Sequence, residues 1–241
     1  MNGNLYDYAK VLRLPALKQA IKDKKINKEL IKPLEEILLK EVELRHKNAI
    51  TNKIRIAGFP YNKYILELET NVLPNELNDK LEYLKTLEFI DKTENIIMIG
   101  NPGTGKTHIA IALGLEACNL GYKVKFCHVP TLVTSLKETQ SERRLNAYIA
   151  TFLKYDLIIL DELGYVSLDK EGAELLFQLL SSRSELKSTI VTSNSTFDKW
   201  EHIFMDPVMS GAIIDRLAFK SHIIKMTGDS YRYLATQKLN T

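Results

Sequence analysis

The pattern of apolar and polar positions changes near residue 95. Before that point, apolar residues recur roughly at the three- and four-residue spacing of helices. Pro15 and Pro33 are predicted to lie in the first turns of separate helices, and the run Gly58-Phe59-Pro60 is predicted to break the helical pattern. The sequence therefore predicts a small helical domain over residues 1–70, followed over residues 71–94 by a linker that leads into a helix. The periodic apolar residues are Leu12, Ala16, Leu17, Leu34, Ile37, Leu38, Val42 and Leu44.

From residue 95 onward, short apolar runs alternate with helical stretches. The helical stretches cover about 105–120, 131–153 and 171–184. Strands that alternate with helices predict an α/β fold with a mostly parallel sheet covered on both faces, which we assign to residues 95–241. The predicted strands are residues 96–99, 124–127, 157–160, 189–191 and 222–225.

A glycine-rich octet lies between the first of these strands and the helix that follows it. Its sequence GNPGTGKT fits the phosphate-loop pattern G-x-x-x-x-G-K-T. Glycines let consecutive backbone N–H groups surround a phosphate, and the start of the helix adds its positive dipole. Lys106 is expected to reach the β- and γ-phosphates of ATP, and the Thr107 hydroxyl is expected to bind Mg²⁺. The predicted nucleotide-binding residues are Gly100, Asn101, Pro102, Gly103, Thr104, Gly105, Lys106, Thr107 and the adjoining His108, whose side chain is expected to pack or to face solvent.

Two carboxylates end a later apolar strand, in the sequence YDLIILDE at residues 155–162. Asp161 suits the Mg²⁺ site, which it would reach through water. Glu162 follows it directly and can accept the proton of an attacking water, a step that hydrolysis needs and simple nucleotide binding does not. The pair therefore predicts an ATPase.

Two further polar residues are candidates for the same reaction. Asn194 follows the next strand, so a parallel sheet would bring it to the edge where ligands bind, and its amide could orient the water. Arg216 lies near the end of a predicted helix over residues 211–217, and a guanidinium presented by a neighbouring subunit can neutralise transition-state charge. A turn residue and a surface ion pair remain the alternative interpretations of these two positions.

Composition narrows the class of protein. The chain has 241 residues, of which 45% are hydrophobic, and no apolar run reaches 18 residues. The first residues lack the basic start and long apolar stretch of a secretory signal, so we expect a cytoplasmic protein. Cys118 and Cys127 have no partner spacing for zinc or a redox pair, and Mg²⁺ is the only metal expected.

Charge is unevenly distributed along the chain. The net charge is +3, but residues 1–70 carry 14 Lys and Arg against 9 Asp and Glu, which leaves the rest of the chain slightly acidic. A solvated helical surface and a nucleic-acid-binding surface both fit this excess. The densest cluster, which would bind DNA without sequence preference, is Lys18, Lys22, Lys24, Lys25 and Lys28.

Several segments resemble one family, the IstB-like ATP-binding proteins that help bacterial insertion sequences to transpose. The most specific is DELGYVSLDKEGAELLFQL, and the likeness extends from LRLPALKQAI near the start through LPNELNDKLEYLKTLEFID to GDSYR near the end. It therefore covers nearly the whole chain.

This resemblance implies an AAA+ ATPase domain behind a small helical domain that contributes to DNA binding. It implies Walker A roles for Lys106 and Thr107, Walker B roles for Asp161 and Glu162, the sensor 1 role for Asn194, and an arginine finger at Arg216. It also implies self-association into an oligomer on duplex DNA, remodelling of that DNA, and recruitment or stimulation of a cognate transposase.

The resemblance is incomplete at the C-terminal end. Only 25 residues follow Arg216, which is too few for the full helical lid of many AAA+ proteins, so we expect a short or absent lid. Arg232 in GDSYR is a candidate for the second sensor arginine.

Three other functions remain open. A DnaC-like replicative helicase loader would share this domain plan but act on a helicase. A DNA-binding architectural module would hold ATP without turnover, although Glu162 argues against it. A small-molecule kinase would need an acceptor pocket and usually a lid, and the sequence indicates neither.

Overall fold

The computed structural model describes residues 4–67, 74–228 and 230. Residue contacts divide the chain into two compact units, Met1–Asn52 and Lys53–Thr241. The division at residues 70 and 94 that the sequence predicts also assigns roles in DNA binding and hydrolysis, and it stays a prediction. Within the described ranges, no helix combines the length and the apolar character that are needed to cross a membrane.

The first unit is built from helices around a small apolar core. Helix α1 spans Leu5–Val11 and α2 spans Pro15–Lys22. Helix α3 spans Lys28–Ala57, so it begins in this unit and its last residues belong to the second unit. Pro15 is the first residue of α2, as predicted. The core is formed by Leu5, Tyr8, Leu12 and Leu38, against which other apolar residues pack. Ile37 and Leu44, which the periodicity includes, are instead exposed.

The prediction that Pro33 begins its own helix is wrong. Pro33 lies inside α3, which starts earlier because the Asn27 side chain accepts a hydrogen bond of 3.2 Å from the Glu29 N–H. Pro33 therefore deprives the Glu29 carbonyl of a helical partner, a loss that the remainder of this 30-residue helix outweighs. The helix ends before Gly58, whose φ of 75° confirms the predicted break.

The second unit contains a five-stranded parallel sheet. A 3-10 turn at Ile65–Glu67, helix α4 at Asn75–Thr86 and helix α5 at Glu88–Asp91 precede the sheet. The strand order is β2-β3-β4-β1-β5 and every neighbouring pair is parallel. All five predicted strands are confirmed, at β1 Asn95–Gly100, β2 Val124–His128, β3 Leu157–Leu163, β4 Ser188–Ser193 and β5 Ser221–Met226.

Helices connect these strands. The stretch predicted over residues 131–153 is two helices, which are separated by Arg143 with a φ of 57°. The helix predicted over residues 211–217 lies within α11. The connecting helices are α6 Lys106–Asn119, α7 Val129–Ser141, α8 Leu145–Phe152, α9 Lys170–Arg183, α10 Trp200–Phe204 and α11 Pro207–Ala218.

Each face of the sheet has its own apolar core, as the alternation of side chains along β1 illustrates. Ile97 and Ile99 pack with residues of α7, α9 and α11, whereas Ile96 and Met98 pack with residues of α4 and α6. This arrangement confirms the predicted α/β class with a sheet buried on both faces. It also brings the carboxyl ends of β1, β3 and β4, where the candidate residues lie, to one edge.

Candidate active site

The glycine-rich loop connects β1 to α6. It leaves the strand at Gly100 and reaches the helix at Gly105, which caps α6 with a φ of 91°. Gly103 has a φ of 82°, and a Cβ at this position would lie 2.2 Å from Oγ of Ser230. Both glycines adopt the left-handed conformation that other residues rarely accept. The loop is therefore shaped as a phosphate-binding loop requires, at the start of a helix.

Lys106 is the first residue of α6 and is only 6% exposed. Its ammonium donates hydrogen bonds of 2.7 Å to the carbonyl oxygens of Gly100 and Asn101. Burial lowers the pKa of Lys106 to about 8, although the charges of Asp161 and Glu162 oppose this shift. Neutral carbonyls are weaker partners for an ammonium than phosphate oxygens, so this cation is suited to an anionic ligand.

Thr107 and Asp161 are brought together from two separate elements. The Thr107 hydroxyl on α6 donates to Asp161 Oδ1 on β3 at 2.8 Å, and the Thr192 hydroxyl on β4 donates to the same oxygen at 2.7 Å. Asp161 is 5% exposed, and burial raises its pKa, while these two hydrogen bonds act to lower it. The buried carboxylate therefore lies among polar groups that favour its charged form.

The donor set of this pair fits Mg²⁺ bound together with a nucleotide. Hydroxyl and carboxylate oxygens are the ligands that this cation prefers. No group of three or more His, Cys, Asp and Glu side chains that could hold a metal occurs in the described part of the chain. In this kind of site, phosphate oxygens and water molecules supply the remaining ligands of Mg²⁺.

Glu162 lies in an irregular part of β3. The register between β3 and β4 shifts between Leu160 and Leu163, and Glu162 has a φ of 62°. Its N–H donates to the Thr192 hydroxyl at 3.0 Å. A bulge of this kind redirects side chains, and it is common beside active sites. The sequence pattern does not reveal it, because the apolar run continues up to Leu160.

The Glu162 carboxylate contacts His128, the last residue of β2. Nε2 of His128 lies 2.7 Å from Oε2 of Glu162, and Nδ1 lies 3.4 Å from the Thr131 hydroxyl. Sequence reasoning missed both His128 and Thr192 as site residues. The available signal was their position, because each is a polar residue at the carboxyl end of a strand that neighbours β3.

Asn194 lies directly after β4, at the same edge of the sheet as Asp161 and the phosphate loop. Its side chain is exposed. The preceding Ser193 fixes this segment, since its hydroxyl donates to the Leu163 carbonyl at 2.6 Å. The predicted location at the carboxyl edge is therefore observed, and the contact of Asn194 with water or phosphate stays a prediction.

Arg216 lies on α11 and contacts α9. Its guanidinium carbon is 4.4 Å from the centre of the Phe177 ring, and Nη1 donates to the Ala212 carbonyl at 3.0 Å. None of the contacts described for Arg216 involves the phosphate loop. The action of Arg216 on a neighbouring subunit stays a prediction.

His108 and Ser230 lie near the phosphate loop. Burial lowers the pKa of His108, whose ring hydrogen-bonds to the backbone of Tyr64. Its Nε2 is buried and has no hydrogen-bond partner within the described residues. Ser230 lies close to Gly103, within reach of a Cβ at that position. Arg232 and most of the residues that a lid would require lie outside the described residues.

The lysine cluster of the first unit extends from α2 through the following turn to the first residue of α3. Four of its members are exposed, and Lys18 is half-buried with its ammonium 5.6 Å from the centre of the Tyr6 ring. Lys25 lies 3.4 Å from Asp23. The cluster thus presents cations to solvent, and DNA binding by Lys18, Lys22, Lys24, Lys25 and Lys28 stays a prediction.

Comparison with known sequences identifies one family and several relatives from bacterial insertion sequences. The profile of the family described as "IstB-like ATP binding protein" matches residues 8–239. The chain is 32% identical over 228 residues to the "Insertion sequence IS232 putative ATP-binding protein" of Bacillus thuringiensis subsp. berliner, covering 94% of this chain and 91% of that protein. It is 39% identical over 196 residues to the "Insertion sequence IS5376 putative ATP-binding protein" of Geobacillus stearothermophilus, covering 80% and 78%.

Comparison with solved structures identifies the fold. DnaA from Aquifex aeolicus with AMPPCP matches with a TM-score of 0.60 at 18% identity, covering 76% of this chain and 56% of that one. DnaI matches with a TM-score of 0.56 at 21% identity, covering 70% and 89%. The DnaC helicase loader matches with a TM-score of 0.51 at 22% identity, covering 75% and 99%. At these identities the likeness shows the fold alone, which is that of AAA+ domains.

Proposed function

Because the chain belongs to the IstB-like ATP binding protein family, we propose that it is a DNA-dependent ATPase of insertion-sequence transposition. In this proposal its nucleotide state controls its assembly on duplex DNA, where it remodels the DNA and recruits or stimulates a cognate transposase. The family and the fold support the role of an AAA+ ATPase. Assembly on DNA, remodelling of the DNA and recruitment of a transposase are further steps that this proposal adds.

The observation that carries hydrolysis is the joining of two motifs 54 residues apart in the chain, through the 2.8 Å hydrogen bond between Thr107 and Asp161. Lys106 precedes Thr107, and Glu162 follows Asp161. A cation for phosphate, oxygen ligands for Mg²⁺ and a carboxylate base are therefore within one site. A protein that only binds ATP has no need of the last group.

In the proposed reaction the residues divide the work between binding and proton transfer. The backbone N–H groups of the phosphate loop and the Lys106 ammonium hold the phosphates, which keeps the terminal phosphate in line for attack. Glu162 accepts the proton of the attacking water. Asn194 orients that water, and Arg216 of a neighbouring subunit stabilises the developing charge.

Thr107 and Asp161 would hold Mg²⁺, the latter through water. When bound, this ion neutralises charge on the β- and γ-phosphate oxygens. The Thr107 hydroxyl and the buried Asp161 carboxylate orient that part of the site.

The DNA part of the proposal rests on charge. The cluster beside the turn between α2 and α3 has four exposed lysines, and phosphate contacts of this type give affinity without sequence preference. The relatives at 32% and 39% identity are named for insertion sequences, which favours a transposase over a replicative helicase as the partner. A helicase loader is the alternative.

ATP turnover of the wild type and of Glu162→Gln tests the hydrolytic core of this proposal. We expect the variant to lose turnover by about 100-fold or more while it still binds ATP, because amide and carboxylate have the same shape and only the base is lost. The control is Glu201→Gln, which changes an exposed glutamate of α10 and should leave turnover unchanged. A variant Glu162→Gln with wild-type turnover would contradict the role of Glu162.

Co-sedimentation on duplex DNA distinguishes the two partners. Glu162→Gln with ATP and DNA is mixed separately with the cognate transposase and with the replicative helicase of the same organism. We expect the transposase to sediment with the DNA complex in an ATP-dependent way. Selective capture of the helicase would instead establish the loader.

A further inference from the structure

Thr192 of β4 connects the two carboxylate residues of the proposed ATPase site. Its side chain is 1% exposed, so its hydroxyl has no access to bulk water. That hydroxyl donates its only proton to Asp161 Oδ1 at 2.7 Å. The same hydroxyl oxygen accepts a hydrogen bond from the Glu162 N–H at 3.0 Å. One side-chain group therefore contacts the carboxylate of one residue and the main chain of the next.

The bulge in β3 explains why such a contact is needed. The register between β3 and β4 shifts between Leu160 and Leu163, which removes Glu162 from the regular ladder. Glu162 also has a φ of 62°, a conformation that carries an energetic cost in residues other than glycine. A backbone N–H without a partner at a partly buried position would add to this cost. The Thr192 hydroxyl supplies that partner.

The position of Thr192 requires a side chain that can both donate and accept a hydrogen bond. A hydroxyl has one proton and two lone pairs, so donating to Asp161 leaves it able to accept from Glu162. Serine can do the same, whereas valine has the shape of threonine but neither capacity.

We propose that Thr192 is a positioning residue of the ATPase site, which holds the Asp161 carboxylate that would serve Mg²⁺ and anchors the main chain of Glu162, the residue whose carboxylate would accept the proton of water. This inference rests on the proposed ATPase function. It assigns a role to a residue of β4 that lies two positions before Asn194. Thr192 acts through Asp161 and Glu162 and does not itself touch the substrate.

Steady-state kinetics of three variants test the proposal. Thr192→Val should lower kcat by about 10- to 100-fold and change KM for ATP by less than about threefold, because the hydroxyl acts on the reacting groups rather than on phosphate binding. Thr192→Ser, which restores the hydroxyl, should stay within about threefold of wild-type kcat. Thr189→Val, which alters a buried threonine on the same strand, should leave kcat unchanged and controls for effects on the core.

The binding of a fluorescent ATP analogue provides a second readout that needs no turnover. In the Glu162→Gln background, Thr192→Val should raise the Mg²⁺ concentration for half-maximal binding by about tenfold. Binding without Mg²⁺ should be unchanged. Should Thr192→Val fail to fold, Thr192→Cys takes its place, because a thiol keeps the volume but is a weak donor.

Two results would overturn the role of Thr192. One is a kcat of Thr192→Val within threefold of wild type together with an unchanged Mg²⁺ dependence. The other is an equal loss in Thr192→Ser and Thr192→Val, which would indicate a packing role. Absence of turnover in the wild type would refute the proposed function instead, and the Mg²⁺ titration would still decide the role of Thr192.

Discussion

Lys106 illustrates how burial prepares one residue for its ligand. Its ammonium is held in the loop by two carbonyl oxygens, and its pKa is lowered to about 8 because burial penalises the charged form. A bound triphosphate favours the charged form. Binding of ATP should therefore be linked to the protonation of Lys106.

The affinity for ATP should fall as pH rises through 8. Below that pH the ammonium is already charged, whereas above it each binding event must take up a proton, so at pH 9 the affinity should be about tenfold lower than at pH 7. Fluorescence titrations between pH 7 and 9.5 measure this dependence. Lys106→Arg, which stays charged throughout, is the control and should show a much weaker slope. Equal slopes in both proteins would refute the linkage.

Substitutions at two glycines of the phosphate loop can distinguish the cost of backbone strain from the cost of steric overlap. Gly103 and Gly105 have φ values of 82° and 91°, but only a Cβ at Gly103 would meet another group, at 2.2 Å from Oγ of Ser230. Gly103→Ala should therefore lower the free energy of unfolding by about 1 kcal/mol more than Gly105→Ala. Denaturant unfolding without nucleotide measures both.

A double variant tests the source of that difference. Ser230→Gly in the Gly103→Ala background should recover most of the additional loss, because it removes the overlapping hydroxymethyl group. Recovery of the same size in the Gly105→Ala background would show that Ser230 does not act through Gly103.

At the scale of elements, β5 is an edge strand, and side chains of α4 form hydrogen bonds with two of its backbone groups. Lys80 donates to the Ile223 carbonyl at 2.9 Å, and Glu76 accepts from the Lys225 N–H at 2.9 Å. Unpaired edges invite association with other chains. Helix α4 therefore protects this edge as well as covering one face of the sheet.

Removing these two side chains should destabilise the sheet edge. Glu76→Ala with Lys80→Ala should lower the free energy of unfolding by about 1–2 kcal/mol and increase aggregation on heating. Thermal unfolding with light scattering measures both effects. The control is Glu82→Ala with Lys85→Ala, which removes an ion pair between the exposed Glu82 and the half-buried Lys85 of the same helix and should cost less than about 1 kcal/mol. Equal destabilisation of the two double variants would refute the role of α4.

The elements were largely predictable from the sequence. All five strands follow from short apolar runs. The reason is clearest for β1, β3 and β4, because strands that are buried on both faces favour apolar residues at successive positions. The bulge at Glu162 was not predictable, since it depends on the neighbouring strand and on the Thr192 hydroxyl. Pro33 was placed incorrectly because its local preference for a first turn was outweighed by the long helix around it.

In the site, too, local motifs could be predicted from the sequence, whereas contacts between strands could not. The phosphate loop and the Asp161-Glu162 pair are continuous motifs, so their proximity could be inferred once a parallel sheet was expected. His128 and Thr192 carry no motif of their own. They become recognisable only when strand order places β2 and β4 on either side of β3.

At the scale of the whole molecule, charge is separated along the chain, and the basic cluster lies in the first unit. Changing Lys24, Lys25 and Lys28 together to Gln should weaken binding to duplex DNA of any sequence. It should also reduce the slope of log K against log salt concentration by about 0.9 for each DNA phosphate that the variant no longer neutralises. Fluorescence anisotropy at several salt concentrations measures this slope.

A control with the same change in charge isolates the position of the cluster. Lys154, Lys170 and Lys199 are exposed and lie in the second unit, and their joint replacement by Gln should leave the salt dependence nearly unchanged. If both triple variants weaken binding equally, net charge rather than this cluster governs DNA affinity.

The measurement that tests the central claim most directly is ATP turnover with and without duplex DNA, alongside sedimentation of the same mixtures, in the wild type and in Glu162→Gln. We predict that DNA stimulates turnover of the wild type, and that Glu162→Gln forms large assemblies only when both ATP and DNA are present. Absence of DNA binding together with absence of ATP-dependent assembly would contradict the account.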